Sequence, residues 1–171
     1  MKWNFDNRTV WDFDGTIALS CFNDPCWTVA CNLAKNIRTQ AAFTVINPLV
    51  NTMDVEAILT ARFDDKEHRE HTRYLINSLG LSDSLVFMNN RRDHTYEGFA
   101  KFKSEWCNEH RPKYYVDDDP HICMLMQKNL DYTQCVTVED WYRLNPSFPS
   151  SPHTLIQLPM NLLQARRGAI V

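Results

Sequence analysis

The chain has 171 residues, 44% of them hydrophobic, and a formal net charge of −3. That size and content suit one globular domain with a full core. The mild negative charge argues against nonspecific nucleic-acid binding over the whole surface, though a local basic groove stays open. No apolar run approaches the roughly 20 residues of a membrane-spanning helix. The start, Met1-Lys2-Trp3-Asn4-Phe5-Asp6, lacks the apolar stretch of a secretion signal. A cytoplasmic protein without membrane contact is therefore expected.

In chain order, strands and helices alternate, which predicts a mostly parallel sheet with crossover helices. Residues 9–13 read as the first strand, apolar until its terminal acids. Residues 25–37 read as a helix with Pro25 in its first turn. Residues 41–50 are apolar but broken by Asn47-Pro48, and neither helix nor strand is preferred. Residues 55–60 form the second reliable strand. Residues 64–79 follow as a helix, with an acidic start and Gly80 just past its end. Residues 84–88 are a third strand. Residues 98–110 are a helix with Phe99, Phe102 and Trp106 on one face. Residues 114–116 are a short strand running into three aspartates, and residues 120–130 a helix opened by Pro120. Residues 132–138 are the last strand, and Glu139-Asp140-Trp141-Tyr142 reads as a turn. The domain is expected over 1–144. Residues 145–171 carry Pro146, Pro149, Pro152 and Pro159 and read as a tail. Its leucines suit docking on the domain or on a second copy of the chain.

Some chemistry is excluded by what is scarce. Only Gly15, Gly80, Gly98 and Gly168 occur, so neither a phosphate-cradling glycine loop nor a dinucleotide fingerprint can be assembled. Any phosphate here has to be held by side chains, a metal and single backbone amides. Cys21, Cys26 and Cys31 lie five apart, unlike the short spacings of zinc sites, and all six cysteines read as free thiols. His68 and His71, three apart on a helix, read as surface residues rather than ligands.

The informative stretch is Val10-Trp11-Asp12-Phe13-Asp14-Gly15-Thr16. Side chains at i and i+2 of a strand share a face, so Asp12 and Asp14 are placed to converge where the strand ends. Two acids that close repel unless a proton or a cation lies between them, and a hard divalent cation suits oxygen ligands. Further on, Leu59-Thr60-Ala61-Arg62 ends a strand with a hydroxyl and a guanidinium, where open α/β sheets bind ligands. Lys101 and Lys103 lie early in the 98–110 helix. Tyr114-Tyr115-Val116-Asp117-Asp118-Asp119-Pro120 runs a strand into acids and a helix start. Asp119, or Asp118, also suits the N-cap of that helix.

The order strand–Asp-x-Asp-Gly-Thr, strand–Thr, helix–Lys, strand–Asp-Asp resembles the four motifs of the haloacid dehalogenase (HAD) superfamily of phosphohydrolases. The resemblance covers about residues 9–120. It implies a three-layer, Rossmann-like HAD fold and Mg²⁺-dependent hydrolysis of a phosphomonoester through an aspartyl-phosphate. It implies Asp12 as nucleophile, Asp14 as general acid/base, and Thr60 and Lys101 on the phosphoryl group, with Lys103 as the alternative lysine. It also implies Mg²⁺ held by Asp12, the Asp14 backbone carbonyl, and Asp117 or Asp118.

Between Thr16 and Thr60 lie 43 residues, and between Arg62 and Lys101 lie 38. Neither interval houses a sizeable cap domain, although a small lid over 20–27 would fit. Such an open site suits large substrates. The details are most similar to the 3′-phosphatase domain of polynucleotide kinase/phosphatases and to RNA-repair-like HAD domains. That similarity implies a nucleic-acid 3′ end or a nucleotide as substrate, with Gly15, Thr16, Arg62, Arg91 and Arg92 binding it. Basic residues interleaved with Tyr96 and Trp106 suit a single strand of nucleic acid. A phosphatase for free nucleotides or small metabolites, or a noncatalytic binding protein on the same fold, are the alternatives.

Overall fold

The computed structural model describes residues 5–20, 44–91, 93 and 95–145. The elements in order are β1 (Thr9–Trp11), β2 (Ala18–Ser20), β3 (Thr44–Ile46), β4 (Ala57–Phe63), α1 (Lys66–Ser78), β5 (Leu85–Asn89), α2 (Tyr96–His110), β6 (Tyr114–Asp117), α3 (Pro120–Gln127), β7 (Gln134–Thr137) and α4 (Val138–Leu144). Five strands form a parallel sheet in the order β5-β4-β1-β6-β7, and β2 pairs antiparallel with β3 apart from it.

Alternating side chains explain why helices cover both faces of the sheet. Trp11, Ile58, Val116 and Val136 pack on one side with Leu75 and Ile76 of α1 and Trp141 of α4. Val10, Ala57, Leu59 and Tyr115 pack on the other with Phe102 and Trp106 of α2 and Ile122 and Met126 of α3. The chain winds outward from β1 through β4 to β5. It then crosses back over α2 to β6 and continues to β7. Winding therefore reverses between β1 and β6, and ligands of open α/β sheets bind outside the strand ends at such a reversal. Among the described residues there is no cap domain over that edge, and no helix is long and apolar enough to cross a membrane.

The helices start where short polar residues cap them. The Asp65 carboxylate accepts from the His68 amide, Thr95 Oγ1 from the Gly98 amide, and Asp119 Oδ1 from the amides of His121 and Ile122. Asp119 is thus the cap of α3, as one of the two sequence readings had it. Residues 139–142, expected as a turn, lie in helix α4. Thr137 closes β7 and caps α4 at once by accepting from the Asp140 amide, while Val138 and Trp141 turn inward. Within residues 41–50, β3 is a short strand, and Asn47 follows it with its side chain donating to the Thr16 carbonyl at 2.9 Å. The helix expected over 25–37, the lid beyond Ser20, Cys21, Cys26, Cys31, Arg92 and the tail from 146 lie outside the described residues. Cys107, Cys123 and Cys135 are free thiols.

Candidate active site

β1 and β6 run side by side with Trp11 level with Val116, and the Asp12 amide donates to the Val116 carbonyl at 2.8 Å. That register carries the chain ends forward together, so Asp12 leaves β1 where Asp117 ends β6. Asp12, Asp117 and Asp118 consequently gather, with one carboxylate oxygen from each within 4.8 Å of the others. Asp12 and Asp117 are buried, and Asp118 faces the opening.

Lys103 reaches this group from α2, with 4% of its surface exposed. Its Nζ lies 2.9 Å from Asp12 Oδ1 and 2.8 Å from Asp117 Oδ2. The Tyr115 hydroxyl stands 3.3 Å from Asp12 Oδ1 and 3.1 Å from the Leu59 carbonyl, so its single proton serves one of them at a time. Burial opposes the charge on Lys103, but Asp117 and Asp12 outweigh it and hold the ammonium well above its usual range. Burial also pushes Asp12 up, Lys103 works against that push, and Asp117 and Asp118 add to it. Burial, with Asp117 beside it, pushes Asp118 up to about 6, eased by the Thr16 hydroxyl. One ammonium thus faces three carboxylates.

The lysine that reaches the aspartates is Lys103, whereas the expected one was Lys101. Lys101 is exposed. A residue two positions away on a helix lies about 200° around it, so only one of the pair can face the sheet. Lys103 shares the inward face with Phe99, Phe102, Trp106 and Cys107, and that periodicity was the available signal.

The two carboxylates of Asp-x-Asp do not meet. β1 stops at Trp11, so same-face alternation ends before Asp14. The Asp14 side chain instead forms a two-point pair with Arg62: Nε donates to Oδ2 at 2.7 Å and Nη2 to Oδ1 at 2.6 Å. Asp14 is half exposed, whereas Arg62 is buried. Arg62 Nη1 lies 2.9 Å from His71 Nδ1 and 3.2 Å from Thr72 Oγ1, both on α1, and the guanidinium covers the Phe13 ring. Most of the N–H groups expected to meet substrate are therefore engaged within the protein.

Gly15 and Thr16 also work differently from the expectation that they bind substrate. Thr16 is fully buried, and its hydroxyl donates to Asp118 Oδ1 at 3.0 Å. Gly15 has φ +84°, and a Cβ there would lie 2.3 Å from Asp118 Oδ2. Glycine lets this loop press against the aspartates after β6. Thr60 is buried, and its hydroxyl oxygen accepts from the Arg62 amide at 3.2 Å, closing the turn after the motif. Arg91 pairs with Glu105. Glu105 lies two positions past Lys103, on another side of α2, so Arg91 is drawn away from Asp12. Sequence reasoning missed Tyr115 and Thr72 and read His71 as a surface residue, whereas it is 5% exposed. Tyr115 occupies an inward strand position that ordinarily signals packing alone, and His71 and Thr72 sit on the buried stripe of α1.

The residues that gather fit a hard divalent cation. The donors are oxygens, their negative charge exceeds the positive charge beside them, and burial penalises leaving it uncompensated. Asp117 has both oxygens engaged, Oδ2 by Lys103 and Oδ1 by the Asp119 amide at 3.0 Å. Asp118 accepts from the Thr16 hydroxyl through Oδ1 and faces the opening.

Fold and site together define a doubly wound, Rossmann-like α/β protein with a lysine-bridged acidic centre where the winding reverses. No protein-family model matches the chain, and no curated protein matches it. Among solved structures, one chain of the Pnkp1/Rnl/Hen1 RNA repair complex shares the fold with a TM-score of 0.55 and 18% identity. The match covers 77% of this chain and 42% of that one, so this chain spans less than half the length of its neighbour.

Proposed function

We propose that this protein is a Mg²⁺-dependent phosphomonoester hydrolase of the HAD type, working through an aspartyl-phosphate. The observation that carries the reading is the arrangement at Asp12: a buried carboxylate, pinned through Oδ1 by Lys103, beside two further aspartates. Among the described residues no partner engages Oδ2, which leaves that oxygen as the nucleophile.

Asp12 Oδ2 attacks phosphorus in line, and the bond to the leaving alkoxide breaks. Asp14 gives the alkoxide a proton and later takes one from the water that attacks the aspartyl-phosphate, releasing phosphate and restoring Asp12. Arg62 holds Asp14 in place for both transfers. Lys103 stays charged and balances negative charge at Asp12 as the phosphoryl group arrives. The Thr60 hydroxyl, with its oxygen already accepting from Arg62, has its proton left to donate to a phosphoryl oxygen. Asp12, Asp118 and the Asp14 backbone carbonyl would hold Mg²⁺, which would supply charge neutralisation to the transferring group.

A nucleic-acid or nucleotide phosphate is the substrate proposed. Three observations support it. No cap domain covers the site among the described residues. Tyr96, 52% exposed at the start of α2, meets His121 at the start of α3 with ring centroids 5.3 Å apart. Both helix starts lie on the strand-end side of the sheet, so this aromatic pair offers a stacking surface near the reaction centre. The structural neighbour also belongs to an RNA repair complex. The test is phosphate release with Mg²⁺ from 3′- and 5′-phosphorylated DNA and RNA, nucleoside monophosphates and p-nitrophenyl phosphate. Release is expected, strongest on the 3′-phosphorylated polymers and abolished in Asp12→Asn. No release from any of these by the metal-replete protein overturns the reading.

A further inference from the structure

We propose that His71 is a positioning residue: its Nδ1 lone pair holds the Arg62 guanidinium in the plane that grips Asp14. This rests on the reading of Asp14 as the acid/base.

His71 is 5% exposed and sits on the inner face of α1, one turn after His68 and beside Thr72. Its Nδ1 is 2.9 Å from Arg62 Nη1. A guanidinium carries donors only, so Nδ1 has to accept and the ring proton has to sit on Nε2. Nε2 is buried, and among the described residues nothing accepts from it. A buried N–H without a partner costs free energy. A leucine would fill the same space without that cost, so the acceptor at Nδ1 is what the imidazole contributes.

Burial, helped by the Arg62 charge, lowers the His71 pKa to about 4, so the ring is neutral near pH 7 and the acceptor is permanent there. Arg62 is then fixed on three sides. Asp14 takes Nε and Nη2, His71 and Thr72 take Nη1, and Phe13 lies under the plane. Asp14 itself is half exposed, and among the described residues its carboxylate is held by Arg62, so its direction follows that of Arg62. Because α1 supplies His71 and β4 supplies Arg62, the packing of helix on sheet is transmitted to the acid/base carboxylate.

The test compares His71→Leu with His71→Asn, whose side-chain oxygen stands near the place of Nδ1. His71→Leu is expected to lower kcat about 10- to 100-fold with little change in KM, while its thermal midpoint stays close to that of the wild type, since one orphaned N–H is removed at Nε2 and one is created at Arg62 Nη1. His71→Asn is expected to recover most of that kcat. Equal losses in both variants, or full kcat in His71→Leu, overturn the proposal. Nitrogen-15 NMR reads the same contact without turnover. His71 Nδ1 is expected to be unprotonated, and the Arg62 Nε–H signal to be slow to exchange in the wild type and fast in His71→Leu. A protonated Nδ1, or unchanged exchange, overturns the proposal even if the protein hydrolyses nothing. A wild type that releases no phosphate but shows the expected NMR signals refutes the phosphatase reading alone.

Discussion

Lys103 lies between Asp12 and Asp117 in a nearly dry setting, and removing one partner of a buried ion pair is costly because the other charges stay behind. Lys103→Met is therefore expected to abolish phosphate release and to lower stability by about 3 kcal/mol or more in urea denaturation without added metal. Lys101→Met is expected to change neither by much, because that side chain is exposed. The acidic cluster was legible from residue types, since Asp12, Asp117 and Asp118 do gather. Which of the two lysines reaches the aspartates is decided by helical phase, which puts Lys103 and not Lys101 on the inward face. His71 gives a second prediction at this scale. Its folded value of about 4 lies below the ordinary 6.5. Between the two, the unfolded chain binds a proton that the folded chain does not. Stability from this group is present above about 6.5 and is lost as pH falls toward 4. The groups facing it are Arg62 from β4 and His68 on its own helix, which oppose protonation, and Asp14 beyond Arg62, which favours it. From about pH 7 to about pH 5 the wild type is expected to lose roughly 1–2 kcal/mol more than His71→Asn.

Loops that join elements decide which side chains meet. The bend at Gly15 has φ +84°, and its backbone lies against the Asp118 carboxylate. Gly15→Ala is expected to weaken Mg²⁺ binding about tenfold or more by displacing Asp118, with a smaller loss of stability. Isothermal titration with Mg²⁺ checks this, and unchanged affinity would count against Asp118 as a ligand. The strands were readable because each carries an apolar run, and α1 because Leu75 and Ile76 mark its inner face. α4 was hidden. Its residues follow β7 without a linker, and Thr137 belongs to the strand and to the cap together. The partners of Arg62 were hidden for another reason. Arg62 ends a strand while His71 and Thr72 lie on the next helix, and no sequence spacing shows that their side chains meet.

At the scale of the molecule, the alternation of strands and helices carried enough information for the parallel sheet and its two helical layers. Strand order followed from physical habit rather than from any residue: consecutive strands lie close and crossovers keep one hand. The reversal between β1 and β6 places both acid-bearing strand ends at one edge. In the proposed reading, the open edge, the surplus negative charge and the two-point grip on Asp14 form a single centre that moves a phosphoryl group onto Asp12 and off again. The central claim is the covalent step. The most direct measurement is peptide mass mapping after acid quench of the Asp14→Asn variant turning over p-nitrophenyl phosphate with Mg²⁺. With the base for the second half-reaction gone, a phosphoryl group is expected on the peptide carrying Asp12. Turnover that leaves that peptide unmodified, together with full activity in Asp12→Asn, would contradict the account.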